Sequence, residues 1–300
     1  MRSFTEDHSS KNLAMILDQT IRGITALNVE KTKVTSVNDN AANIVRGIKL
    51  AETIKGQVKC CAHTLQLVIN DVLTNVRYVN EIIRKCKAIA ALTHRSSKQS
   101  NKVKAMCDKI NNDPSQARKW PYRVIISPGG VRWNSTYLCM ESILKLEEPL
   151  LQLRQTDADF DDVPSEDEFA SMSELVSLLK CFHSATQELS AEVTPTIHMV
   201  VVTIYNLITH LKKSAKDLKC VQIRDWARQA SHVMADRFPK SGSTCMDFAL
   251  GHFFHPHYRG LVCRSENNEE WEEMMDELIR ENSQVKHLNT FKFDFLHNIT

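Results

Sequence analysis

The stretch VKCCAHTLQLVINDVL, residues 58–73, sets Leu65, Val68, Ile69 and Val72 at the spacing of an amphipathic helix. Val76, Val79 and Ile83 extend the same stripe. Just ahead of it stand Cys60 and His63, whose Cys-x-x-His spacing suits zinc. Zinc wants four ligands, however, and the other dense Cys/His region is distant: Cys245, His252, His255, His257 and Cys263. The pair is therefore either half of a composite metal site or packing at a strand-to-helix junction. On ligand count alone, bound zinc is not expected.

The pattern continues in both directions. Upstream, SSKNLAMILDQTIRGITAL places Leu13, Ile16, Leu17, Ile21 and Ile24 at helical spacing, with Ser9 or Ser10 as cap. KTKVTSVNDN reads as a strand ending at a turn, and AANIVRGIKLAE as a helix with Ile44, Val45 and Ile48 inward. Downstream, the stretch from Thr93 to Lys119 is polar and reads as exposed helix or loop, and YRVIIS reads as a second strand closed by Pro128-Gly129-Gly130. Residues 157–168, DADFDDVPSEDE, read as a solvated acidic linker. Four apolar helical stripes follow, around Leu175, Val200, Trp226 and Met274. The fold class expected is mostly α with a few short strands.

Net charge is only +2, which does not announce a nucleic-acid binder, but the charge is uneven. From Arg84 to Arg132 twelve basic residues face only Asp108 and Asp113, a surplus of ten. Trp120 and Trp133 flank that run, so it reads as a candidate phosphate-tracking surface, against the commoner reading of a solvated face. The nine cysteines, an odd number, together with the polar start MRSFTEDHSSKN, fit reduced thiols in the nucleus or cytoplasm. No apolar run reaches the about 18 residues of a membrane span.

Among carboxylates Asp39 stands out, because it falls at a strand's carboxyl end just before a helix. Open α/β sheets bind ligands there, and a carboxylate so placed can hold a divalent ion. The competing reading is that Asp39 caps the helix that follows.

Several blocks, taken in order, resemble the hAT superfamily of DNA transposases and the domesticated zinc finger BED domain-containing proteins derived from it. TEDHSSKNLAMILDQTI resembles the helix before the family's second catalytic aspartate. VTSVNDNAANIVRGIKL is similar to its Thr-Asp-Asn-Ala-Ala-Asn block and KCCAHTLQLVINDVL to its Cys-x-Ala-His-x-Leu-x-Leu signature. GGVRWNSTYLCMESILKL resembles its Arg-Trp-Asn-Ser-Thr block, and FALGHFFHPHYRGLV a degraded Leu-Asp-Pro-Arg-Phe-Lys block.

The resemblance implies an RNase H-like α/β core, incomplete here, plus an all-α insertion. The implied divisions are a partial core over 1–75, a basic helical segment with the Arg132-Trp133 block over 76–156, the linker over 157–168, and a helical domain over 169–300. It implies that Asp39 is a vestige of the second catalytic aspartate. It also implies that Cys60, His63, Arg132 and Trp133 are DNA-proximal, and that magnesium is the parent family's ion. No match to the first aspartate or to the third carboxylate is recognised. Glu272, Glu273, Glu277 and Glu281 are acidic but lack the block's context. The expectation is a truncated or domesticated transposase-like protein without catalysis or cofactor, acting on DNA or protein in the nucleus. A piece of an active metal-dependent transposase and an unrelated helical metal-binding protein are the two alternatives.

Overall fold

The computed structural model describes residues 9–24, 34–39, 41–129, 132–191 and 194–238, together with Phe248, Gly251, His252 and His255. In chain order the elements are α1 (Ser10–Arg22), β1 (Val34–Asn38), α2 (Ala42–Leu50), β2 (Ile54–Lys59), α3 (Cys61–Asn75), α4 (Arg77–Arg95), α5 (Ser97–Asn111), α6 (Trp133–Leu144), α7 (Glu147–Thr156), α8 (Glu166–Leu189), α9 (Val200–Asp217) and α10 (Val221–Arg237). Short 3-10 turns cover Ala158–Phe160 and Ile197–Met199. The protein is mostly helical, and its two described strands are short and parallel. The described residues fall into two compact units. One lies within Met1–Cys61, Ala191–Ile204 and Phe238–Thr300, the other within Ala62–Ser190 and Tyr205–Arg237.

The first unit is built on a β1–α2–β2 crossover, with Val37 paired to Val58 and Asn38 to Lys59. Ser9 caps α1 by accepting the Asn12 N–H. Ala14, Ile21, Ile48, Ala51 and Ile54 form its core, with Leu17, Val34 and Ile44 packed against them. The α1–α2 approach requires Gly47, since a Cβ there would lie 2.9 Å from Leu13 Cβ. Asp18 fastens α1 to the chain entering β2. It accepts the Thr53 N–H (2.9 Å), the Thr53 hydroxyl (2.6 Å) and the Glu52 N–H (3.0 Å). Burial raises the Asp18 carboxyl, but the bonds from Thr53 and Glu52 outweigh it and hold the group below its ordinary 3.8.

The second unit is all helical. Leu65, Val68 and Ile69 are fully buried, with Val72 at 1% exposure, so the stripe of residues 65–72 is core. Val79, Ile82, Cys86 and Ile89 continue the burial along α4. α8 starts with a capping box between Ser165 and Glu168 and carries acidic residues in its first turn, where the helix dipole favours them. Its stripe Met172, Leu175, Leu179 and Phe182 is buried, as are Trp226, Ala227, Ala230 and Met234 on α10.

Three local expectations are corrected. Tyr122–Ser127 is not a strand: the Ile125 carbonyl accepts from His94 Nε2 at 2.6 Å and the Ile126 N–H donates to Ser142 Oγ at 3.0 Å. Side chains satisfy this backbone where a ladder would have, and the second strand is Ile54–Lys59 instead. The stretch Thr93–Lys119 is not exposed throughout, because α5 buries Gln99, Val103, Cys107 and Ile110. The acidic residues 157–168 do not form a solvated linker, because Phe160 and Val163 are fully buried. The fourth stripe, around Met274, lies outside the described residues, as do Cys245, His257, Cys263 and the glutamates from Glu272 to Glu281.

Two measurements check this packing. Asp18→Ala should destabilise the protein by about 1–2 kcal/mol at neutral pH, since three donors lose one acceptor. Because the folded carboxyl lies below its unfolded value, this contribution is present above the unfolded pKa and is lost as pH falls through the folded one. The gap between wild type and variant in thermal melts should therefore close below about pH 4. Val68→Asp would bury a charge with no partner and should cost at least about 3 kcal/mol in denaturant melts; an unchanged midpoint would contradict the burial of α3.

Candidate nucleic-acid interface

Because β1 and β2 are parallel, their carboxyl ends share one edge. The Cys60 N–H extends the ladder beyond β2 by donating to the Asn38 carbonyl at 2.7 Å, and Gln57 Nε2 donates to Asn38 Oδ1 at 3.2 Å. Asp39 and Cys60 thus follow directly on the paired residues Asn38 and Lys59. Asp39 is exposed, and its Oδ1 accepts the Ala41 N–H at 3.1 Å, which closes the turn into α2. Ala41 is the α2 cap residue and makes no side-chain cap bond; the Asp39 carboxylate accepts the cap residue's own N–H, an Asx turn ahead of the helix.

The carboxylates described in this unit are Asp18, Asp39 and Glu52, and only Asp39 follows a strand end. A two-ion site needs converging oxygens from several carboxylates. Among the described residues, one aspartate with an oxygen already committed to backbone does not fit a magnesium pair. Nor do three His, Cys, Asp or Glu residues gather there in an arrangement able to hold a metal ion. His252 is fully buried with Nδ1 facing the His198 carbonyl at 3.1 Å, and His255 stacks on His198 at 4.0 Å.

His63, Arg132 and Trp133 belong to the helical unit. His63 is half-buried in the first turn of α3. Trp133, expected beside DNA, is 1% exposed, so its indole offers no face to a base in this structure. It packs on Tyr137 and, edge-on, on His183. Tyr137 stacks on His183 at 4.9 Å, and His183 Nδ1 faces Asn134 Oδ1 at 3.3 Å. The helix begins at Trp133, with Arg132 as its cap residue; the Ser135 hydroxyl donates to the Arg132 carbonyl at 2.8 Å. Arg132 itself is exposed at the N-terminus of α6. His183 was not singled out from the sequence, where a lone histidine in an apolar helical stripe gives no signal of its own.

The basic stretch divides into two sets. Arg84 pairs with Glu81 and Asp162, Lys85 with Glu168, and Lys102 with Asp157 and Asp159. Lys87, Arg95, Lys98, Lys104, Lys109, Lys119, Arg123 and Arg132 are exposed and make no ion pair among the described residues. Arg118 lies over Trp120 at 3.9 Å. Buried thiols do not supply nucleophiles here: burial pushes Cys139 up to about 12 and Cys107 up to about 11, and raises Cys61 and Cys86 as well.

Comparison with known proteins agrees with this architecture. Residues 58–178 match the family described as the ZBED1 RNase-like helical domain. A protein of Talaromyces stipitatus named as a transcriptional regulator, tpeD, is 25% identical over 77% of this chain and 29% of its own length. Human zinc finger BED domain-containing protein 4 is 21% identical over 82% of this chain and 19% of its own. A Zea mays protein named as an AC transposase is 24% identical over 68% of this chain and 24% of its own. The chain is thus related to the hAT-derived, BED-type proteins, and it spans less than a third of the length of each of these relatives.

Arg132 and Trp133, adjacent in sequence, should separate under mutation. Trp133→Ala should cost about 3–5 kcal/mol of stability, the range for a buried aromatic. Arg132→Ala should leave the melting temperature within about 1 °C, since exposed substitutions away from packed features stay near neutral. Equal destabilisation by both would contradict the split between core and surface.

Proposed function

We propose that this chain is a non-catalytic, domesticated transposase-like protein of the nucleus that binds DNA through the unpaired cations between Lys87 and Arg132. The observation that supports it is the exposed set Lys98, Lys104, Lys109, Lys119 and Arg123, which make no ion pair among the described residues. Such a surface contacts phosphates without reading sequence, so binding is weak and sensitive to salt. The relatives named as a transcriptional regulator and as BED-type proteins support the nuclear and DNA-directed parts of the reading. The non-catalytic part is supported by the strand edge, where Asp39, engaged in a turn, is the one carboxylate among the described residues.

Mobility shifts across a salt series test the binding. Kd should lie near 10⁻⁴–10⁻⁶ M, as is typical of non-specific binding, and log K should fall linearly with log salt. A Lys104→Gln, Lys109→Gln, Arg123→Gln variant should weaken every duplex alike and flatten the slope. Absence of binding at low salt, or tight binding indifferent to salt, contradicts the proposal. Cleavage and strand-transfer assays with magnesium or manganese should give no product. Product that disappears in Asp39→Ala would instead identify part of an active enzyme.

A further inference from the structure

The acidic stretch and the basic stretch, distant in sequence, lie against each other in the helical unit. Lys102 Nζ on α5 meets Asp157 Oδ2 at 2.5 Å and Asp159 Oδ2 at 3.0 Å. One turn away, Gln99 Nε2 donates to Asp159 Oδ2 at 2.7 Å. On α4, Arg84 Nη2 donates to Asp162 Oδ1 at 3.0 Å, while its Nε and Nη2 also reach Glu81 on the same helix, so Asp162 covers only part of this guanidinium. An ammonium, an amide and a guanidinium thus all point at anionic oxygens, the donor set by which proteins hold a sugar–phosphate backbone. Apolar burial rather than charge holds the acidic segment here, because Phe160 and Val163 are fully buried. The pairs stay accessible to solvent and counterions: Lys102 is 28% exposed and Arg84 52%.

We propose that Arg84 and Lys102 form a surface for the phosphates of nucleic acid, and that Asp157, Asp159 and Asp162 are its built-in competitor, held in place in part by the buried Gln99 amide on Asp159. The carboxylates occupy the donors as phosphate oxygens would and place negative charge where DNA must approach. This inference rests on the DNA-binding reading above, and it makes the measured affinity a residual one, set by the cations the acidic segment leaves uncovered.

The test uses the full chain and a short DNA duplex. Asp157→Asn, Asp159→Asn and Asp162→Asn together remove charge while keeping side-chain shape. A control removes three exposed carboxylates that make no ion pair among the described residues: Glu188→Gln, Asp217→Asn and Asp236→Asn. At ~50 mM salt the first variant should bind at least about fivefold tighter than wild type, with a log–log salt slope steeper by about 1–2. The control should gain less than about twofold, and adding Lys102→Gln to the first variant should remove its gain. Asp159→Asn alone, at a half-exposed position, gives the same direction if the triple variant folds poorly. Equal gains in variant and control would mean general charge and would overturn the proposal. So would an unchanged slope, or a gain seen only with a polyglutamate peptide in place of DNA. Wild-type binding with no gain in the variants sinks this inference alone. Absence of DNA binding by every protein sinks the DNA reading and the inference with it.

Discussion

Phe160 is buried completely, and that burial fixes where the acidic segment lies. A fully buried Phe contributes roughly 1.5–3 kcal/mol, whereas an exposed ion pair contributes at most about 1 kcal/mol. The apolar anchor therefore decides the path of the chain between α7 and α8, and the ion pairs follow from it. Val163 adds a second anchor, and the Ser165–Glu168 capping box sets the start of α8 immediately afterwards. Glu168 serves two partners at once, the Ser165 N–H and Lys85, so the helix start and the α4 surface are tied through one carboxylate. The charge pattern of the helical unit is in this sense a consequence of packing.

Long elements were legible because a helical period repeats many times within them. The stripes of α3, α8 and α10 could be read from spacing alone, and their residues are buried. β1 was legible from its Val/Thr run and the turn that ends it. β2 was not, although Ile54 and Val58 alternate with exposed Lys55 and Lys59. Gly56 interrupts that alternation, and the structure shows its use: a Cβ there would lie 2.8 Å from Thr35 Oγ1 across the pair. The opposite misreading arose at Val124-Ile125-Ile126, which also alternates out, in, out. Alternation reports only that one face is covered. It does not distinguish a neighbouring strand from the side chains of His94 and Ser142.

The candidate site was legible in part, for related reasons. The strand-then-helix pattern around Asp39 placed it at a strand end, and parallel pairing brings Cys60, just past β2, to the same edge. The two roles weighed for Asp39, metal ligand and helix cap, have the same sequence signature; in the structure its Oδ1 accepts the Ala41 N–H ahead of α2. Trp133 could not be placed as core from its block, because a tryptophan beside an arginine reads as well for a binding surface as for a helix start. What packs against it is Tyr137, one turn on along α6, and His183, which arrives from α8.

The span that matches the ZBED1 RNase-like helical domain begins at Val58 and ends at residue 178. It leaves out Asp39 and includes α4, α5 and the acidic segment. Relatedness therefore bears most directly on the helical part, where the described chemistry is charge against charge and not metal against carboxylate. A shared fold does not carry an activity with it; the side chains at the site must. Within this span those side chains are cations, some covered by the chain's own carboxylates and some exposed. A window of sequence from Arg84 to Arg132 counts them all alike, giving a surplus of ten. The folded surface does not, because Asp157, Asp159, Asp162 and Glu168 arrive from outside the window and neutralise Arg84, Lys85 and Lys102. Net charge over a window thus does not give the field a polyanion meets, and here part of the difference is set by which carboxylates the apolar core brings into range.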